Sequence, residues 1–153
     1  MQRLGLPVLL LLLGLGMGCG GGSKAEQPAG GTDGTGVAAR PLELEIGPIK
    51  EKLQLGPVDP TLAEQGKVIF EQKCTSCHKL DMRYVGPPLR EVTLRRSPEY
   101  IMNMILNPEG MQERHPEVQK LVEEYMTKMT FQNVTEQEAR AILEFLRQAA
   151  GEE

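Results

Sequence analysis

The residues best suited to chemistry lie in one run, Cys74-Thr75-Ser76-Cys77-His78. Two thiols separated by two residues and followed at once by an imidazole fit C-x-x-C-H, the pattern of covalent haem attachment. The reaction dictates the spacing. Two thiols on one tight turn can each add across a vinyl group of a single porphyrin, and the next residue then lies under the ring as proximal iron ligand. Zinc binding uses the same residue types but wants four ligands. This chain has three cysteines and two histidines, and its third cysteine, Cys19, lies far away in an export-like segment. A thioredoxin-like redox pair wants an alternating strand and helix context, and none surrounds this run. Haem attachment is therefore the reading the residues favour, and a haem supplies redox chemistry that no side chain can.

The first forty residues have a different task. Arg3 is followed by an apolar run from Leu4 to Met17. That is shorter than the roughly 20 residues a bilayer span requires, but suits the apolar core of a signal peptide. The run ends at Leu15-Gly16-Met17-Gly18-Cys19, which resembles a bacterial lipoprotein signal, with Gly16 where leucine is usual. The resemblance implies cleavage after residue 18 and a lipid on Cys19. All three cysteines then have covalent roles, and the redox compartment lies outside the cytoplasm. Residues 20–36 are dominated by glycine and small polar side chains, the composition of a linker. In residues 37–58, Leu42, Leu44 and Ile46 alternate with Glu43 and Glu45, as in a short extended arm or a continuation of the tether. Flexible throughout, residues 20–58 would have a reach of roughly 35 Å.

The rest, residues 59–150, is the length of one small domain. It lacks Trp and is poor in aromatics, so a core built from protein alone would be thin. Helical signals recur and strand alternation does not. Asp59-Pro60-Thr61 opens a helix that runs toward Lys73, with Thr61 and Glu64 at capping-box spacing. Ser97-Pro98-Glu99 opens another, with Tyr100, Ile101, Met104 and Ile105 inward. A third runs from Pro116 to about Met126, and the last starts at the capping box of Thr135 and Glu138, with Ala139, Ile142, Leu143 and Leu146 on one face. The expected fold class is all-α.

With these elements in order, residues 59–148 resemble a class I monohaem cytochrome c: first helix, C-x-x-C-H, a Gly-Pro loop, a middle helix, a methionine and a last helix. The resemblance implies one covalent haem c inside the helical domain. It implies a tight crossing of first and last helices, with Gly66 and Phe70 facing Leu143, Phe145 or Leu146. Gly86-Pro87-Pro88-Leu89 matches the family's G-P-x-L, so the Pro87 carbonyl is expected to accept the His78 N–H and fix the ring. Met129, six residues before Thr135, stands where the family places its sixth iron ligand, although Thr130 replaces the usual proline. Met126 is the neighbouring candidate and reads as a continuation of the preceding helical stripe. Met111 falls in a loop, and His115 reads as a helix-entry residue. Arg95, Arg96 and Tyr100 fall where the family often contacts the haem propionates.

The chain carries a net charge of −4. Arg3 is the one charge in residues 1–18, so a chain starting at Cys19 carries −5. Residues 61–100 hold seven basic and five acidic side chains, and residues 101–153 hold five basic and ten acidic. Such asymmetry orients a tethered domain against a partner, while the lack of a concentrated basic face argues against nucleic acid. The expected function is non-enzymatic: a membrane-tethered carrier of single electrons between a quinol-oxidising complex and nitrous oxide reductase or a terminal oxidase. The nitrous oxide branch rests on a narrower resemblance of Arg95 to Ile105 to cytochromes associated with nitrous oxide reduction. The rival class is a haem sensor or peroxidase-like enzyme with an open sixth iron position. The mature chain is expected to begin at a lipid-modified Cys19. Mass spectrometry of the N-terminal peptide checks this, and an unmodified Cys19 thiol would refute it.

Overall fold

The computed structural model describes residues 41–153. The signal-like run, Cys19 and the glycine-rich segment lie outside the described residues. Seven helices and no strand occur among those described: α1 (Glu43–Ile46), α2 (Pro60–Lys73), α3 (Val92–Arg95), α4 (Pro98–Leu106), α5 (Pro108–Arg114), α6 (Pro116–Tyr125) and α7 (Glu136–Ala149). The all-α class is observed.

Local chemistry explains the boundaries. Asp59 caps α2, its carboxylate accepting from Thr61 N and Leu62 N, with Pro60 behind it in the first turn. This displaces the expected box, because the cap falls two residues before Thr61. Ser97 caps α4 by accepting from Tyr100 N, and Asn107 caps α5 by accepting from Gly110 N. At α7 the expected capping box is present: Thr135 accepts from Glu138 N, and the Glu138 carboxylate accepts from Thr135 N. α5 has no counterpart among the helices the sequence predicts. Its seven residues carry no apolar stripe, and only its Asn-Pro start signals a helix. Met111, expected in a loop, lies inside α5 and is fully buried.

The principal packing is α2 against α7. They cross at Gly66, where a Cβ would overlap the Ala141 carbonyl, so only glycine allows the two backbones to approach this closely. One turn on, the rings of Phe70 and Phe145 meet at 5.2 Å and an interplanar angle of 50°, a tilted pairing that aromatic quadrupoles favour. Ala63, Ile142, Leu143 and Leu146 close the crossing. A charged clamp holds its far end. Glu144, fully buried, accepts from Arg147 at 2.9 and 3.1 Å and from Asp59 N at 3.2 Å. Arg140 approaches the same carboxylate at 2.7 Å, and Arg147 also donates to Gly56 O at 2.9 Å. The segment before α2 is thereby fixed to α7.

Residues 41–55 are docked rather than extended. Alternation along 42–46 suggested a strand-like arm, but the chain makes a helical turn that buries Leu44 and Ile46 together. Asn103 of α4, fully buried, holds the segment like a missing strand partner. Its Oδ1 accepts from Ile49 N at 2.8 Å, and its Nδ2 donates to Glu43 O and Ile49 O at 2.6 and 3.0 Å. Glu99 accepts from Leu53 N and Asn107 donates to Ile46 O, so one face of α4 and the start of α5 carry the whole arm.

Gly66→Ala is expected to destabilise the haem-loaded protein by about 3 kcal/mol or more, because the methyl meets a backbone carbonyl that cannot turn away. Denaturant unfolding of the holoprotein measures this, and a cost under about 1 kcal/mol would mean that the helices slide apart freely.

Candidate haem-attachment site

The attachment run begins where α2 ends. Cys74 is the C-cap of α2, and its own carbonyl accepts from Cys77 N at 3.1 Å and His78 N at 2.8 Å. This is the tight turn that the C-x-x-C-H spacing anticipates. Thr75 Oγ1 donates to Glu71 O at 2.7 Å, holding the turn on the helix. The following loop folds back along the motif: Gly86 N donates to Cys77 O, Leu89 N to Lys79 O, and Arg90 N to Leu80 O. Arg90 then anchors the loop, pairing with Asp81 and donating to Ala149 O at 3.0 Å at the end of α7.

His78 is oriented from behind. Its Nδ1 lies 3.0 Å from Pro87 O. A carbonyl only accepts, so Nδ1 carries the proton and Nε2 keeps a free lone pair. Burial holds the His78 pKa below the ordinary histidine value, with the Pro87 hydrogen bond pulling the other way. The neutral imidazole, with Nδ1 tied back and Nε2 open, is the form that ligates a metal. Gly86 makes room for it, since a Cβ there would stand 2.5 Å from His78 Cε1. The Gly-Pro pair thus shapes this ring's pocket as well as making a turn.

The thiols are not equivalent. Cys74 is half-buried and its pKa is pushed up to about 11, mainly by desolvation, while Cys77 is exposed. Neither is in a disulfide. Among the described residues no three His, Cys, Asp or Glu side chains gather as a metal cage. The donor set fits a haem: two uncommitted thiols on one turn, a neutral imidazole with one nitrogen tied back, and apolar side chains without cover beside them. Met82, Tyr84 and Val85 in the following loop are exposed by 62, 56 and 37%.

The two candidate sixth ligands lie in different settings. Met129 is half-buried, and its backbone is held by Gln112, which accepts from Met129 N at 3.1 Å and donates to Met129 O at 2.7 Å. It lines an open cleft with Glu109, Gln112, Val122 and Lys128 that includes none of Cys74, Cys77 and His78. Met126, expected to continue the buried stripe, does not. It terminates α6 in the left-handed region at φ 53° and is 86% exposed. The left-handed turn swings it off the stripe, and a non-glycine residue held there marks a constrained position. Sequence periodicity gives no sign of this.

Of the three residues expected near the propionates, Arg96 and Tyr100 stack on each other and Arg95 is turned to other partners. Arg95 donates to Glu91 O and Pro88 O. Arg96 lies over the Tyr100 ring at 5.0 Å and reaches Glu117 at 3.5 Å. Tyr100 also meets the His115 ring edge-on at 5.1 Å, and its hydroxyl is buried without a partner, as is His115 Nδ1. His115 is the N-cap of α6 and faces Glu43 of α1.

With this geometry established, similarity to known proteins gives the family. The model of the cytochrome c family matches residues 63–150, and the chain belongs to that family. A cytochrome c from Rhodothermus marinus superposes with a TM-score of 0.70 at 54% identity, covering 72% of this chain and 95% of that one. An engineered form of that protein, solved bound to a carbene intermediate, superposes with a TM-score of 0.67 at 51% identity over 72% of this chain and 96% of that one. Cytochrome c-551 of Stutzerimonas stutzeri is 39% identical over 41 residues, which span 26% of this chain and 39% of that protein. Proteins of this family bind one covalent haem c and act as electron carriers.

Without haem the domain is expected not to fold, since its aromatic-poor core lacks the porphyrin plane. A Cys74→Ala, Cys77→Ala double variant should show little helical circular dichroism. A cooperative thermal transition in that variant would contradict this.

Proposed function

We propose that the protein carries single electrons through one haem c joined to Cys74 and Cys77, with the iron held by His78 on one side and a methionine thioether on the other. The observation that carries this reading is the turn at the end of α2. It presents two unpaired thiols and an imidazole whose Nδ1 is committed to Pro87 and whose Nε2 is free. The haem supplies the redox couple. The chain's own residues fix the imidazole tautomer, exclude water from the proximal side by burying His78, and set the potential through the second ligand. A thioether favours ferrous iron and raises the potential relative to a second imidazole.

Chain position points to Met129 as that ligand. A specific observation favours Met126: it is a large apolar side chain left exposed on a constrained turn, at the end of a helix tied by Arg83 to the loop that follows the motif. Met129, in contrast, is held by Gln112 and lines a cleft apart from the motif. Met126 is therefore the proposed sixth ligand. Pro87 acts as the His78 orienter, and Arg96 with Tyr100 forms the better candidate pair for a haem carboxylate, since Arg95 is spent on two main-chain carbonyls.

Cytochrome c domains typically work outside the cytoplasm, and among the described residues no helix is long and apolar enough to cross a membrane. A lipid on Cys19 would supply the membrane attachment. The donor would then be a quinol-oxidising complex and the acceptor nitrous oxide reductase or a terminal oxidase. The charge asymmetry between the two halves of the domain supports docking by orientation.

The oxidised protein should show the weak sulfur-to-iron charge-transfer band at the red end of the spectrum. Met126→Ala should abolish the band and Met129→Ala should leave it. The reverse result restores Met129 as the ligand. Ready binding of carbon monoxide by the wild-type ferrous protein at neutral pH would show an open iron, and the sensor or enzyme reading would replace this one.

A further inference from the structure

α6 enters the core through Val118 near its start, and beyond that residue it is weakly connected to the frame of the molecule. Among the helices described, its backbone packs against α5 alone. Its N-terminal end is held by Arg96, which reaches Glu117. Its C-terminal end, which carries Met126, is held by a single side chain from the far side of the sequence. Arg83, in the loop that follows the attachment run, lays its guanidinium 4.0 Å from the centre of the Tyr125 ring. The same group donates to Glu124 Oε1 at 3.2 Å and to the Glu124 carbonyl at 2.8 Å. Among the described residues these are the only hydrogen bonds between that loop and α6. One planar cation therefore bridges the loop anchored on the His78 side and the helix end leading to the methionines.

We propose that Arg83 is the positioning residue for the sixth iron ligand, a latch whose release lets the thioether leave and a small neutral molecule take its place. The proposal rests on the thioether ligation argued above. An exposed ion pair alone contributes little. Here, however, the same guanidinium also stacks on an aromatic face and bonds a main-chain carbonyl, which does not titrate and moves only with the helix. The latch holds the helix end and touches neither the haem thiols nor His78. In the exchange an iron–sulfur bond breaks and a bond from iron to the incoming nitrogen forms, and no electron is transferred. Latch strength sets the fraction of molecules with an open site, and apparent ligand affinity scales with that fraction.

Imidazole binding to the oxidised holoprotein, followed in the visible spectrum, tests this. Arg83→Ala should tighten apparent imidazole affinity about tenfold and weaken the charge-transfer band before any ligand is added. The thermal midpoint should change little, because the Arg83 side chain is 55% exposed. Arg83→Lys should resemble Arg83→Ala, since an ammonium can neither fork nor stack as a guanidinium does. A lysine variant that behaves like wild type would overturn the latch in favour of a simple charge effect. Tyr125→Leu removes the stacking surface from the other side and should shift affinity in the same direction. Unchanged affinity in the Arg83 variants, with the band present in wild type, would overturn the latch alone. A wild-type protein without the band would overturn the thioether reading beneath it.

Discussion

The contact between the backbones of α2 and α7 at Gly66 is the constraint on which the rest depends. Side chains normally keep helices 8–10 Å apart. Here one helix lacks a Cβ at the crossing, and the other presents the Ala141 carbonyl into that gap. The consequence reaches the site, because the C-terminus of α2 is the first half of the attachment turn. Fixing α2 on α7 fixes where Cys74 and Cys77 point, and the end of α7 receives Arg90 from the loop that carries His78's partner Pro87. Lys73, the last residue of α2, reaches Asn133 O at 2.8 Å and Glu138 at 3.5 Å, tying the segment before α7 to the same helix end. The crossing, the turn and the imidazole are thus one rigid unit.

The methionine side of the molecule is built differently. α5 and α6 form an outer pair, and the segment between α6 and α7 is held by polar side chains of α5. Gln112 grips Met129 through both its backbone groups, and Glu109 accepts from Phe131 N at 3.1 Å. Polar tethers of this kind, half-buried at Gln112 and exposed at Glu109, open at lower free energy than a packed helix crossing. A rigid proximal half facing a distal half with side-chain latches suits a carrier that must hold its second ligand in place without burying it as deeply as its first. The arm formed by residues 41–55 adds to the distal support, since it reinforces α4 and the start of α5 through Asn103 and Asn107.

Much of the rigid half was legible in the sequence, because covalent chemistry and helix caps write themselves into short motifs. C-x-x-C-H needs no tertiary context, Thr135 and Glu138 cap a helix wherever they stand, and Gly66 four residues before Phe70 marks a face that another helix can approach. The distal half was less legible. α5 is too short to show periodicity, and the arm's apolar residues fit a strand on paper because Asn103, which turns it into a docked helical turn, lies more than fifty residues away. Glu144 carries no sequence sign of burial, and only the fold shows Arg140 and Arg147 neutralising it in the core. Met126 belongs to a helical stripe by spacing and leaves it through one left-handed residue, a backbone choice that side-chain pattern does not record.

The central claim is a closed iron held by His78 and a thioether. Proton nuclear magnetic resonance of the reduced protein tests it most directly. A methionine methyl lying over the porphyrin is shifted far upfield by the ring current, so one sharp three-proton line should appear well outside the ordinary range and vanish in the variant lacking the ligating methionine. A spectrum without that line, or one broadened by high-spin ferrous iron, would contradict the account.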